Sequence, residues 1–266
     1  MGAFYIRRAG TYQAPGEVLR QQGFSAGERL TAGPYAVEVY PRQQDTRPPI
    51  QRFEGDDFIA AAGTVLLHSA RDTDALEALY AGFTPGEPLG GEAMGMHGLV
   101  IRKRGRTFVT ADALGAFPIF YSRKTSSVST SFLALAAEAP RLTVTRQGAA
   151  EYVLNGAIVG DDTLVGEIQR LPFGAILELT ADGAHLHQRA VGVPDPDPRP
   201  RAELLIDATV RVDRYMQSVL SAFDGSLSCA ITGGYDSRLL LALALKNGAA
   251  PRAIVYGEGG TDVQVA

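Results

Sequence analysis

The stretch "CAITGGYDSRLLLAL", residues 229 to 243, crowds several groups that could do chemistry into a few positions. An apolar run ends at Ile231 and Thr232, Gly233 and Gly234 follow, and Asp236 and Ser237 stand at the mouth of a leucine-rich segment. A strand that turns through two bare residues into a helix points several backbone N–H groups outward, at a terminus with a partial charge of about +0.5. An anion belongs there, and phosphate is the usual one. A lone carboxylate beside phosphates repels them unless a cation intervenes, so Asp236 is a candidate Mg²⁺ ligand. The Walker loop is excluded because no lysine lies in "TGGYDSR". The dinucleotide fingerprint fails for want of its third glycine. Two plainer alternatives stay open: a tight turn without a ligand, and Asp236 as a helix cap.

A strand, a helix and a second strand must position this loop. "SLSCAIT" reads as the first strand, "SRLLLALALKNG" as the helix, with Lys246 in its last turn and Asn247-Gly248 as its stop, and "PRAIVYG" as the second strand. This is a βαβ unit, with a helix apolar enough all round to lie between a parallel sheet and other layers. Before it, residues 203 to 223 place Leu204, Leu205, Ala208, Val212, Tyr215, Met216, Val219 and Phe223 along one helical stripe. Two strands cannot bury enough surface to stand as a sheet, and "TDVQVA" at 261 to 266 reads as the opening of another helix. The chain is therefore expected to be the front part of a longer protein.

A stiff connector precedes this region, with prolines at 194, 196, 198 and 200. It separates a first domain at 1–192 from a second at 200–266. In the first, two-residue alternation dominates at 35–40, 57–68, 97–112, 118–132 and 174–188, with turns at Gly105 and at 181–183. Helical spacing marks 73–83 and 145–156. The class is α+β on antiparallel sheet.

Several function classes drop out on composition. With 266 residues, 45% apolar and 20% charged, the chain is that of an ordinary globular protein. A net charge of -4 and scattered basic residues exclude nucleic acid as the expected partner. The one basic cluster, Arg102, Lys103, Arg104 and Arg106, is expected at the solvated tip of a hairpin. A single cysteine, Cys229, forms no internal disulfide, suits core packing, and fits a cytoplasmic location. No stretch is long and apolar enough for a membrane span. Gly2 could suggest myristoylation, but position 6 is Ile. His185 and His187 share a strand face without a third metal ligand. The adjacent pairs Asp56-Asp57 and Asp161-Asp162 suit loops better than acid/base catalysis.

"ITGGYDSR" resembles the Ser-Gly-Gly-x-Asp-Ser pyrophosphate loop of ATP pyrophosphatases, with Thr232 in place of the first Ser. The chain is similar to the asparagine synthetase family, including its β-lactam synthetase and lasso-peptide cyclase relatives. "AIVYGEGGTDVQVA" is similar to that family's next strand and loop, with Asp262 as its acid. In the first domain, the family's amidotransferase pattern appears as Asp112, Leu114, Gly115, Pro118, Phe120 and Tyr121. The resemblance implies an Ntn-hydrolase-like α/β/β/α glutamine amidotransferase domain, followed by the start of an α/β adenine nucleotide α-hydrolase-like (PP-loop) domain. It implies ATP and Mg²⁺ as cofactors. Ile231, Thr232, Gly233, Gly234, Asp236, Ser237, Tyr256 and Gly257 would bind ATP and pyrophosphate, and Asp236 the metal.

Two departures shape the expected function: an altered glutaminase site, and the fall of the family's later acidic metal ligand and catalytic lysine beyond Ala266. This stretch by itself is therefore expected to bind ATP weakly if at all and to be inactive. The family's cysteine nucleophile falls at Gly2, which has no side chain to attack an amide, and its glutamine-holding Asn-Gly-Glu triplet falls at Ala62-Gly63-Thr64. Glutaminase chemistry is thus expected to be absent. The members lacking that cysteine adenylate a carboxylate with ATP, release pyrophosphate and close an amide with an amine. A small-molecule or peptide carboxylate is the expected partner, with neither nucleic acid nor membrane, and the resemblance admits a homodimer. The alternative of a different class is a non-catalytic interaction scaffold.

Overall fold

The computed structural model describes residues 2–10, 15–43, 45–87, 89, 93–188 and 195–256. It divides into two compact units, Met1–Leu67 with Arg71–Val191, and His68–Ala70 with Gly192–Ala266.

Two antiparallel six-stranded sheets build the first unit. One runs in the order Gln169–Arg170, Phe120–Tyr121, Val128–Ser129, Ala3–Arg8, Tyr35–Tyr40, Glu28–Ala32. The other runs Gly183–Gln188, Ala175–Thr180, Arg106–Ala111, His97–Lys103, Phe58–Gly63, Ile50–Arg52. Successive side chains on a strand face opposite ways, and here both faces are apolar. Phe4 and Ile6 join Val37, Val39, Phe58, Ala60, Val100, Val109 and Leu177 in the core between the sheets. Ala3 and Tyr5 turn the other way, onto Leu19 of α1 (Pro15–Gln21) and Ala134 and Leu135 of α3 (Phe132–Glu138). Helix α2 (Asp72–Gly82) covers the outer face of the second sheet, beside Phe58–Gly63 and Ile50–Arg52. The layers are therefore helix, sheet, sheet, helix.

Local chemistry sets the boundaries. The fourth helix, α4 (Arg146–Asn155), is capped by Thr145, whose hydroxyl accepts from the Gly148 N–H, and ends at Gly156 with φ +71°. Arg104 and Gly105 both take positive φ, the geometry of a two-residue type I′ hairpin. The basic cluster around them is the solvated hairpin tip only in part: Arg104 and Arg106 are exposed, Lys103 is half-buried and Arg102 is buried. Only Arg104 occupies the turn. Arg102 is 7% exposed and donates to Asp56 and to the Thr107 hydroxyl. Lys103 donates to the carbonyls of Tyr80 and Phe83 at the end of α2, and Arg106 binds Glu178 through two contacts of 2.8 and 3.0 Å. Each of these side chains meets acceptors supplied from distant segments, which no local pattern reveals.

In the second unit, α5 (Arg201–Ala222) and α6 (Tyr235–Lys246) pack through Met216, Leu220, Leu243 and Ala244. Strands Ser228–Ala230 and Arg252–Ile254 pair in parallel, as a βαβ unit requires. Each is shorter than its apolar run, and α6 begins two residues before Ser237. Helix α6 is not sandwiched among the described residues: Leu239, Leu240 and Leu245 are exposed, because a two-stranded sheet covers one side of a helix at most. Half of the α5 stripe, including Leu205, Val212 and Tyr215, is exposed likewise. No helix among the described residues is long and apolar enough to cross a membrane.

Candidate functional site

The glycine turn begins where the parallel ladder stops. Ile231 is buried and its N–H still donates to the Ile254 carbonyl at 2.8 Å. The next N–H, of Thr232, leaves the sheet and donates to Ser237 Oγ at 3.1 Å. Thr232 Oγ1 lies 3.1 Å from the same Ser237 oxygen and accepts the Gly234 N–H at 3.2 Å. The two hydroxyls thus staple the turn from inside, which explains their spacing. Gly234 has φ -76° and ψ 158°, a conformation open to any residue. What it lacks is room: a Cβ there would lie 3.3 Å from Thr232 Oγ1.

Helix α6 starts at Tyr235, so the amides of Tyr235, Asp236 and Ser237 have no acceptor within the helix. Thr232, Gly234, Tyr235 and Asp236 are exposed, and the corner is not filled by packed side chains. Asp236 lies in the first turn while Gly234 occupies the cap position, with no side-chain capping bond. The helix-cap alternative for Asp236 therefore fails. No cluster of three or more His, Cys, Asp or Glu able to hold a metal occurs among the described residues. A divalent cation at Asp236 would need its remaining oxygens from a phosphate ligand and water, which suits Mg²⁺.

Sequence reasoning passed over Arg238. Its Nε donates to the Gly234 carbonyl at 3.1 Å and its Nη2 to the Gly233 carbonyl at 3.0 Å, while the guanidinium stacks 4.8 Å from the Tyr235 ring centre. The signal was its position, four residues after the cap on a first helical turn. Tyr256 lies two residues beyond the end of strand Arg252–Ile254 and is exposed. Gly257 and Asp262 lie outside the described residues.

Residue 2 sits in the first unit at the start of strand Ala3–Arg8. A Cβ on Gly2 would lie 2.8 Å from the Tyr40 carbonyl oxygen and 3.7 Å from the Ala62 Cα, so the backbone leaves no room for a side chain. Ala62 is fully buried, and Gly63 has φ +91° with the Met96 carbonyl 2.2 Å from where its Cβ would stand. That triplet presents only the Thr64 side chain, an intermediate-exposure residue whose N–H donates to Met96 O at 2.8 Å. An open cavity of about 460 Å³ adjoins Gly2, lined mostly by Phe24, Phe117, Pro118, Phe132 and Leu133. The lone thiol, Cys229, belongs to the second unit. It is half-buried rather than fully packed, with Sγ 3.8 Å from the Ser237 carbonyl oxygen.

The Asp112 pattern is an anchored turn. Burial opposes ionisation of this carboxylate, yet the N–H groups of Phe117, Ala116 and Leu114 donate to it at 2.7, 3.0 and 3.1 Å and hold it below the usual range. Gly115 takes φ +60° and its carbonyl accepts from Arg170. The turn delivers Phe117 to the cavity beside Gly2, and Pro118 leads into strand Phe120–Tyr121, where Tyr121 Oη donates to Gln169 Oε1 at 3.1 Å. Sequence reasoning also passed over His97, buried next to this turn. Burial pushes its pKa down, against the opposing pull of Asp112, and Nδ1 lies 3.1 Å from the Gly95 carbonyl oxygen.

Several of the other acids and histidines have structural partners. Asp57 accepts from the Arg104 N–H and the Tyr80 hydroxyl. His187 bonds Glu178 at 2.9 Å, and His185 lies 3.1 Å from Thr180 Oγ1.

No protein-family profile matches the chain, and no curated protein matches it. Among solved structures, it is similar to a glutamine phosphoribosylpyrophosphate amidotransferase from B. subtilis complexed with ADP and GMP, with TM-score 0.45 and 13% identity over 99% of this chain and 70% of that one. It is also similar to a structure described as the allosteric regulatory enzyme of purine biosynthesis, with TM-score 0.46 and 14% identity over 96% of this chain and 65% of that one. The chain thus spans less than two thirds of the second protein's length.

Proposed function

We propose that this chain belongs to an asparagine synthase-related, ATP-dependent amide-forming ligase whose Ntn-hydrolase-type first domain has no glutaminase activity. One observation carries the reading: an exposed corner at Thr232–Ser237 where first-turn amides lack helical acceptors and Asp236 makes no cap. In this reading the first-turn amides of Tyr235, Asp236 and Ser237 hold the β- and γ-phosphates of ATP, with Thr232 to Gly234 shaping the turn beneath them, while the backbone at Ile231 and in the Tyr256-Gly257 stretch frames adenine. Mg²⁺, when bound, neutralises phosphate charge, and Asp236 supplies one of its ligands. A carboxylate oxygen of the substrate attacks the α-phosphorus, the bond to the bridging oxygen breaks, and pyrophosphate leaves. An amine then attacks the acyl carbon and AMP departs, so that one amide forms for each ATP consumed.

The turn's share of this chemistry is electrostatic. Donors fixed before the reaction stabilise charge that grows on the leaving pyrophosphate without reorganising. Thr232 and Ser237 keep that geometry through their mutual hydrogen bonds, and Arg238 adds a positive charge beside it. The absence of glutaminase activity follows from Gly2, since an N-terminal nucleophile needs a side chain that this site cannot hold.

ATP–pyrophosphate exchange by the full-length protein in the presence of candidate carboxylates tests the ligase reading. Exchange that Asp236→Ala lowers by at least a hundredfold is the expected result. No exchange with any carboxylate, together with no binding of ATP, would leave a non-catalytic scaffold as the better account.

A further inference from the structure

The cavity of about 460 Å³ beside Gly2 has the size of a small-molecule site and is walled by three aromatic rings from three separate segments. Each ring is held from behind. Phe24, just beyond α1, meets the Tyr40 ring edge-on with centroids 6.3 Å apart, and Phe132, the first residue of α3, meets Phe120 edge-on at 5.7 Å. Phe117 lies against two bare backbone positions: a Cβ on Gly63 would stand 2.9 Å from its ring, and a Cβ on Gly98 3.2 Å. The Phe117 N–H is fixed to Asp112 at 2.7 Å. These walls are formed before any ligand arrives, which lowers the ordering cost of binding.

Two hydrogen-bond donors line the same cavity without a partner. Gln22 Oε1 accepts the Ser131 hydroxyl at 2.8 Å, which ties the end of α1 to the start of α3 and leaves Gln22 Nε2 with no acceptor among the described residues. Thr130 Oγ1 accepts the Phe4 N–H at 3.2 Å, and its own proton likewise meets no acceptor among them. Ser131 is fully used, because its proton goes to Gln22 and its oxygen accepts the Ala134 N–H. No charged side chain lines the cavity. A ligand that satisfies these groups brings an acceptor oxygen to Gln22 and Thr130 and is neutral, since a charge buried among rings without a counter-ion is costly. Free glutamine does not meet that description: its ammonium would find no carboxylate here.

We propose that this cavity binds a neutral aromatic molecule bearing a carbonyl group, its ring among Phe24, Phe117 and Phe132 and its oxygen accepting from Gln22 and Thr130. The site lies in the first unit and does not depend on the ligase reading. The test titrates acetophenone into the isotope-labelled chain, beside ethylbenzene, which has the same shape without the oxygen, and beside sodium benzoate and L-glutamine as charged comparators. The side-chain amide signal of Gln22 and the backbone amides of Phe117 and Phe132 should shift saturably with acetophenone. Ethylbenzene should bind about tenfold more weakly, the loss expected for its missing hydrogen bonds. Benzoate should bind more weakly than acetophenone, and glutamine should give no saturable shift. Gln22→Glu keeps the oxygen that Ser131 bonds and removes the donor, so it should weaken acetophenone about tenfold and leave ethylbenzene unchanged. Leu133→Asp puts a charge at the rim and should weaken both about tenfold. Both side chains are exposed, so neither change should lower the melting temperature. Absence of a saturable shift, equal affinity for acetophenone and ethylbenzene, or benzoate or glutamine binding as tightly as acetophenone overturns the proposal. Shifts confined to Thr232–Ser237 overturn it too and leave the ligase reading standing.

Discussion

Placing a cysteine at residue 2 by Gly2→Cys should destabilise the first unit and yield no glutaminase. A Cβ at residue 2 would stand 2.8 Å from the Tyr40 carbonyl oxygen, several tenths of an ångström inside ordinary contact. Tyr40 cannot retreat freely, because it pairs with Ala3 in the ladder and its ring packs with Leu19 and Leu135. Forcing a side chain into a packed site costs about 1–3 kcal/mol. At about 2–4 °C per kcal/mol for a unit of this size, the melting temperature should fall by roughly 2–12 °C. Gly2→Ala carries the same Cβ and should fall by a similar amount, which separates crowding from thiol chemistry. The chemical readout is glutamate released from glutamine, with removal of Met1 checked by mass. Ala62 and Gly63 offer no polar side chain to hold the amide substrate, so the rate should stay at background. An unchanged melting temperature in both variants, or glutamate release by Gly2→Cys, would refute the reasoning.

Three further outcomes follow from the same geometry. Asp112→Asn replaces a carboxylate that accepts three backbone N–H groups and should cost about 2–4 kcal/mol by chemical denaturation. Because the folded Asp112 pKa is lowered, its stabilisation is present above the unfolded value of about 3.9 and is lost as pH falls further. Wild type should therefore lose stability below about pH 4 more steeply than Asp112→Asn. His97 is buried with its pKa lowered, so only the unfolded chain takes up a proton as pH falls below about 6.5. Stability should drop as pH falls below about 6.5, and His97→Gln should flatten that drop in denaturant midpoints measured across the range. Lys103→Met removes the ammonium that closes the end of α2 and should lower stability by about 1–2 kcal/mol. Equal stability of Lys103→Met and wild type would mean that water satisfies those carbonyls.

The sequence by itself determined the elements whose chemistry is local. Alternation at 97–112 and 174–188, with Gly105 and Ala181-Asp182 between the arms, specified both hairpins, because side-chain period and turn residues act over a few positions. Thr145 and Gly156 bounded α4 for the same reason. The glycine turn was legible too, since Gly233, Gly234 and Asp236 must lie where a strand meets a helix. Tertiary structure alone decided what those residues touch. It turned Arg102 from a tip residue into a buried partner of Asp56, used Thr232 and Ser237 to staple the turn, and set Arg238 against two of its carbonyls. It also placed the Tyr40 carbonyl where a side chain on residue 2 would need to be, and brought Phe24, Phe117 and Phe132 to one cavity. Contacts such as Arg102 with Asp56 or Arg106 with Glu178 join segments far apart along the chain, and local propensity has no means of encoding them.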